Sequence, residues 1–379
     1  MKLTRRAFTK SALASTAVLS MPSIVGRALG EMPKADVGDS LVVYTGTGLQ
    51  TTVADQLVEP FADMMQKKYG VATQVQTVVG QTPAAFLRFK TEWPNPAGDV
   101  YQFYNENIQE GIPLNYYLPL KQAYTDEEWA KFDPDALAAL GTGDFVAPID
   151  ISASVLVVQN SVDDAIDSWS VLGDTKFARR VTFDSALAVG SGYNMILAAA
   201  LAIGSDYKTW FKDDKFDEEA AMPAFKEAAR WASNALTLTE GSGSITPLLR
   251  RQEALISAWW WHNGEDEVQK GTPVHIVYPK EGCPASVNAG PVVSAATTNP
   301  VAALEWVKFF HSDVADDIAV SINQFNRIPK IGETPNSHWQ AFTSASKIAW
   351  ANEFRAITMG PQYNKQLLDL YNRVVIQGG

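Results

Sequence analysis

The chain has 379 residues, 46% of them hydrophobic, with 31 basic and 42 acidic side chains and a formal net charge of −11. Such acidity argues against nucleic acid and anionic membrane surfaces as partners, while it favours solubility and permits a cationic ligand. The single cysteine, Cys283, excludes an internal disulfide, so stability must come from apolar burial.

In chain order, Thr4-Arg5-Arg6-Ala7-Phe8-Thr9-Lys10 precedes a mildly apolar run, Ser11–Val25, that holds no acidic residue. A basic start, a short apolar middle and small residues at Ala28 and Gly30 describe an export signal. The paired arginines resemble the twin-arginine motif, with Thr9 where leucine is usual. Residues 1–30 are therefore expected to pass through the twin-arginine translocase and be cleaved near Gly30, leaving a periplasmic protein. No cysteine follows closely, which argues against a lipid anchor. Removing the five basic residues of this segment leaves 26 basic against 42 acidic side chains, a net of −16. No later apolar run reaches the ~18 residues of a membrane span. About 350 residues remain, enough for more than one core.

Ser40–Tyr44 reads as a buried strand, stopped by Thr45-Gly46-Thr47-Gly48. Val53, Leu57, Phe61, Met64 and Met65 follow at helical spacing, and Val71–Val79 reads as a second strand. Asp99–Phe103 makes a third after a short helix over 84–90. This strand–helix–strand rhythm predicts parallel pairing with helices on the faces. Ser154–Asn160 predicts a long buried strand, Val181–Asp184 a short one, and Gly190-Ser191-Gly192-Tyr193 the start of a helix. Ala220–Leu238 reads as one helix, Glu253–Trp261 as a strand and Val274–Pro279 as another. Pro300–His311, Val314–Ile322 and the tail from Lys347 read as helices. No linker separates the halves, which points to strands crossing between them.

Ligands of open α/β sheets bind outside the carboxyl ends of the strands. That rule selects Tyr44, Thr45, Gly46 and Thr47, then Gln81 and Thr82, then Tyr104 and Asn105. Each set is equally consistent with an ordinary turn. Gly46-x-Gly48 is followed by Thr51 instead of a third glycine, which excludes a dinucleotide loop. Asp150 stands among isoleucines next to Ser152, and its carboxylate needs a partner: a ligand ammonium, an arginine or a backbone N–H. Ser191 and Tyr193 open a helix and could clamp an oxyanion or cap the turn. In Trp259-Trp260-Trp261-His262-Asn263, strand alternation puts Trp259 and Trp261 on one face and Trp260 on the other. At least one ring is expected to face a cleft, where it can stack on a ligand or attract a cation.

Ser168-Trp169-Ser170-Val171-Leu172-Gly173-Asp174-Thr175-Lys176-Phe177-Ala178-Arg179-Arg180-Val181, with Asp184 and Gly190–Tyr193, is similar to a pattern of periplasmic solute-binding proteins of ATP-driven importers. Glu253-Ala254, Tyr278-Pro279-Lys280-Glu281-Gly282 and Asn299-Pro300-Val301-Ala302-Ala303 resemble further segments of the same family, in the subgroup of ferric-ion, polyamine and phosphonate receptors. The likeness runs from about Leu41 to Pro329. It implies an α/β fold of the type II periplasmic-binding-protein kind, with two α/β lobes joined by crossing strands at Ala147–Asn160 and Val274–Val293. The first lobe would comprise 31–150 and 276–379, the second 151–275. It also implies a monomer that closes on a small-molecule solute and delivers it to the permease subunits of an ABC importer. A ferric receptor would carry adjacent tyrosines where Trp259–Trp261 stand, and a polyamine receptor an aspartate near Asn288. The acidity, Asp150 and the tryptophans favour an amine-containing ligand all the same.

No His-Glu-x-x-His, Cys-x-x-Cys, Gly-x-Ser-x-Gly or phosphate-loop motif occurs, so no catalysis, cofactor or metal is expected. Two alternatives remain at this level. One is an exported hydrolase or lyase on the same scaffold, for which His262 is the histidine best placed; the other is a solute sensor.

Overall fold

A computed structural model describes residues 37–46, 49–80, 82–187, 190–212, 215–359 and 362–378. The expected export segment and the candidates Thr47 and Gln81 lie outside these residues. Fourteen strands are described: β1 Ser40–Thr45, β2 Gln74–Val79, β3 Val100–Tyr101, β4 Tyr117–Leu118, β5 Pro148–Gln159, β6 Val181–Asp184 and β7 Phe211–Lys212; then β8 Lys215–Phe216, β9 Ala235–Thr239, β10 Ile256–Trp260, β11 Val274–Val277, β12 Cys283–Ala289, β13 Val292–Ser294 and β14 Ile348–Trp350.

The first sheet has the order β2-β1-β3-β13-β4, with β1 parallel to β2 and β3. The helix Leu49–Tyr69 turns Val53, Leu57, Phe61 and Met65 onto it, four residues apart and fully buried. Gly70 ends that helix at φ 71°, a left-handed conformation that glycine adopts without penalty. The second sheet has the order β14-β12-β5-β10-β6-β9, and β11 also pairs with β5. Each sheet has its own core. Leu41, Val43, Phe61, Val293 and Trp306 fill one; Leu156, Val181, Ile196, Trp210, Phe225 and Trp231 fill the other. The chain is thus a bilobed α/β protein.

β5 is the shared element. Its twelve residues are almost entirely buried, as a strand covered on both faces requires. The first half pairs antiparallel with β12, Asp150 opposite Asn288, and the second half with β10, Val155 opposite Trp259. A register shift between Asn288 and Ala289 marks the place where β12 leaves for the first lobe.

Two crossings were expected, and the chain makes three. Gln324–Ile328 runs along β5, with Ile151 N–H donating to Asn326 O and Ile328 N–H to Ile149 O, both at 3.0 Å. This third crossing corrects the expected division of the lobes. The helices Pro300–Phe310 and Asp313–Ser321 do pack in the first lobe. Beyond them β14 joins β12, and Phe354, Leu367, Leu370 and Tyr371 enter the second core. The apolar stripe of the tail needs a partner, and the helix Glu218–Asn234 supplies it. That helix also stops four residues before its expected end. Ala235–Thr239 alternates Leu and Thr and becomes β9. Among the described residues no helix is long and apolar enough to cross a membrane.

Leu370→Ala should therefore destabilise the second lobe by about 2–5 kcal/mol, the usual loss for a buried leucine. Urea unfolding followed by tryptophan fluorescence measures it. An unmoved midpoint would mean that the tail only decorates the surface.

Candidate functional site

Between the lobes lies a cleft of about 780 Å³. Carboxyl ends of strands line it from both sides. Phe103, Tyr104, Asn105 and Glu106 follow β3; Gly190 and Ser191 follow β6; Glu240, Gly241, Gly243, Ser244 and Thr246 follow β9; Trp259, Trp260, His262, Asn263 and Asp266 come from β10 and the helix after it. Thr52 and Thr82 complete the first-lobe wall, and Asn352 and Arg355 come from the tail.

The three crossings make the floor. Alternation along β5 brings Asp150 and Ser152 to one face, beside Asn288 and Ser286 of β12. Asp150 is 1% exposed and accepts from Asn288 Nδ2 at 2.6 Å and Gln324 Nε2 at 3.4 Å. Asn288 Nδ2 also donates to the Ser152 hydroxyl at 2.8 Å. Hydrogen bonds from both amides stabilise the buried carboxylate, and the backbone of Asp150 bridges to that of Arg327.

Six buried atoms of cleft residues have no hydrogen-bond partner: Glu106 Oε2, Trp259 Nε1, Ser286 Oγ, Gln324 Oε1, Asn326 Oδ1 and Arg355 Nε. Each costs about 1–3 kcal/mol while it stays unmet. A polar guest in the cleft can meet those that face it. Arg355 is 7% exposed, and Glu106 is its ion partner at 3.7 Å. Glu106 rides on the first-lobe helix Asn105–Gly111, whereas Phe354 roots Arg355's helix, Asn352–Met359, in the second core.

Several expected contacts prove to be structural. Tyr44 lies in the core, stacked on Tyr101 at 4.9 Å, and is not part of the cleft lining. Thr45 and Gly46 are held by their own turn, the Thr45 hydroxyl against Thr51 at 3.4 Å and Gly46 N–H against Gln102 Oε1 at 3.4 Å. Tyr193 is buried, its hydroxyl accepting from Asn364 at 2.6 Å. Thr82 and Ser191 do line the cleft, but the Ser191 hydroxyl donates to Asp184. A Cβ at Gly192 would lie 2.2 Å from the Ala186 nitrogen, so this glycine serves close packing. Asn105 reaches the cleft, yet its amide clamps β12 through Val287 O at 2.8 Å and Ala289 N at 3.0 Å.

The tryptophans also differ from strict alternation. β10 ends at Trp260 and a helix begins at Trp261. The change from two to 3.6 residues per turn sends Trp261 into the core, stacked on Phe342 at 4.3 Å. Trp259 and Trp260 both remain on the cleft. His262 stacks on Trp260, and enclosure by the surrounding walls lowers its imidazole to about 4. Tyr104, 40% exposed at the rim, has its phenol raised by desolvation.

Sequence reasoning missed Glu106, Ser286, Gln324, Asn326, Asn352 and Arg355. The first follows the selected Tyr104–Asn105 turn by one residue. The others lie on return segments whose place at the cleft no local motif announces. Among the described residues no group of three His, Cys, Asp or Glu side chains could hold a metal ion.

The family model for bacterial extracellular solute-binding proteins matches residues 32–329. An ABC transporter structure from Clostridium perfringens is similar at 17% identity and TM-score 0.65, covering 88% of this chain and 99% of that one. The spermidine/putrescine substrate-binding protein PotD from Streptococcus pneumoniae is similar at 13% identity and TM-score 0.62, covering 90% and 98%. The Atu4243-GABA receptor is similar at 17% identity and TM-score 0.65, covering 86% and 96%. At these identities the structures share the fold. No protein of curated function matches the chain.

His262 gives the cleft a pH signature. Its imidazole is neutral in the folded chain, while an unfolded histidine takes up a proton near 6.5. Stability should therefore fall as pH drops from about 6.5 to about 4, with a slope of up to ~1.4 kcal/mol per pH unit. His311, lowered to about 3 by burial, acts in the same direction. His262→Gln should remove the first contribution and keep the second, as read from melting temperature against pH. An unchanged profile would place His262 in water.

Proposed function

The chain belongs to the bacterial extracellular solute-binding protein family, and from that premise we propose that it captures a small, polar, amine-containing solute between its lobes and delivers it to an ABC-type importer. Its volume of about 780 Å³ suits a small molecule. The observation that carries the amine reading is the charge of the lining. Glu106, Asp150, Glu240 and Asp266 contribute four carboxylates to the lining, against Arg355, the ion partner of Glu106, and Lys270, which pairs with Asp266 at 2.6 Å from outside the lining. The neutral His262 adds no charge near pH 7.

Trp259, Trp260, Phe103 and Tyr104 supply ring surface on the same cleft, and such faces attract ammonium groups. Asn288 occupies the place where the resemblance to polyamine receptors called for an aspartate. Asp150 of the neighbouring strand is hydrogen-bonded to it, so a carboxylate is present there by another route. Two of the similar structures carry the names of amines, spermidine/putrescine and GABA. We take the basic N-terminal segment as a twin-arginine export signal and the working receptor as a periplasmic monomer. Closure would be a hinge motion about the three crossings.

Thermal-shift screening tests the chemistry, because a ligand that binds only the folded state raises the melting temperature. Primary amines should raise it, and Asp150→Asn should weaken their binding at least about tenfold by calorimetry, as loss of a desolvated charge partner does. A clear shift from a neutral sugar, with none from amines, would reject the amine reading.

A further inference from the structure

The amine reading leaves Arg355 unexplained. A guanidinium in an otherwise acidic cleft opposes an ammonium ligand unless the ligand also offers an anion. Arg355 is 93% buried by its 7% exposure, its Nε–H has no hydrogen-bond acceptor, and its ion partner Glu106 stands off at 3.7 Å. A well-made arginine–carboxylate pair closes to ~2.8 Å with two parallel hydrogen bonds, so this pair is loose. Glu106 Oε2 is likewise buried and unmet.

The start of a second-lobe helix lies on the same cleft. The thirteen-residue helix Gly190–Ala202 begins there with Gly190 and Ser191, and its positive dipole end already faces a carboxylate, because the Ser191 hydroxyl donates to the buried Asp184. It packs against the helix Asn352–Met359 that bears Arg355. The cleft is therefore bipolar. Its positive group is Arg355, and its negative groups include Asp150 on the floor.

We propose that Arg355 forms an anion subsite that takes the carboxylate of a zwitterionic amino-carboxylate solute. This rests on the amine reading above and narrows it. The ammonium of the same solute lies on the acidic side of the cleft. Asn352 is a positioning residue, because its side chain holds Val287 N–H at 2.9 Å and Val287 O at 3.0 Å and so fixes the helix start three residues before Arg355. Sheet order gives a sense of the span: β14, which leads into Asn352, is two strand positions from β5, which carries Asp150, a distance of roughly 10 Å between backbones.

The test uses the whole exported chain and three matched series in calorimetry: ω-amino acids from glycine to 6-aminohexanoate, n-alkylamines and n-carboxylates of the same lengths. The amino acids should bind tightest. Arg355→Gln should weaken them about 100-fold, the scale for truncating one side of a desolvated charged pair. The same change should leave the alkylamines within about threefold, and Arg355→Lys should recover part of the loss. Alkylamines that bind wild-type protein as tightly as amino acids would overturn the anion subsite and leave the amine reading standing. That comparison needs no variant to fold. Carboxylates that bind as tightly as amino acids, and lose affinity in Arg355→Gln, would uphold the anion subsite and overturn the amine reading. No binding in any series would overturn both.

Discussion

The antiparallel pairing of β5 with β12 is the contact on which the rest depends. It joins the lobes, because β12 leads directly through Ala289 to β13 of the first sheet. It also builds the floor of the cleft, because register sets Asp150 opposite Asn288 and Ile151 opposite Val287. A slip of one residue would turn Asp150 into the apolar layer and an isoleucine into the cleft. Burial on both faces of β5 makes such a slip costly. The Gln324–Ile328 segment then reinforces the same register from the other side with its hydrogen bonds to Ile149 and Ile151.

This floor explains how a charged group can stand almost fully buried at the centre of the molecule. Asp150 is surrounded by amide donors that hydrate it in place of water. The donors come from β12 and from the Gln324–Ile328 segment, so the carboxylate ties β5 to the other two crossings. The unmet polar atoms around it have the opposite character. Glu106, Trp259 and Arg355 carry them on the walls, and Ser286, Gln324 and Asn326 carry them on the crossings themselves.

The tail changes the economy of the second lobe. Leu367, Leu370 and Tyr371 fill its core against the helix Glu218–Asn234. The same segment carries Arg355 to the cleft and fixes it through Asn352 on Val287. Core packing and ligand chemistry are thus coupled in one stretch of about twenty-five residues. Glu106, the ionic partner, belongs to the other lobe, so the pair spans the opening that a hinge would vary.

Much of this was legible from local pattern. The period-2 and period-3.6 spacing of apolar residues gave the α/β class and most strands, and the absence of a linker gave crossing strands. Asp150, Ser152, Asn288, Trp259, Trp260, His262 and Asn263 line the cleft, and strand ends and buried charges gave them local signatures. Tyr44, Tyr193 and Trp261 were misplaced because an aromatic residue at a strand end or helix start looks the same whether its ring faces a cleft or a core. Arg355, Gln324 and Asn326 carried no signal at all. The sequence by itself determined which segments could be buried, since period and polarity are properties of neighbours along the chain. Only the tertiary structure decided which of those segments meet across the cleft, because the β5–β12 register and the return of the tail set distances between residues more than a hundred positions apart.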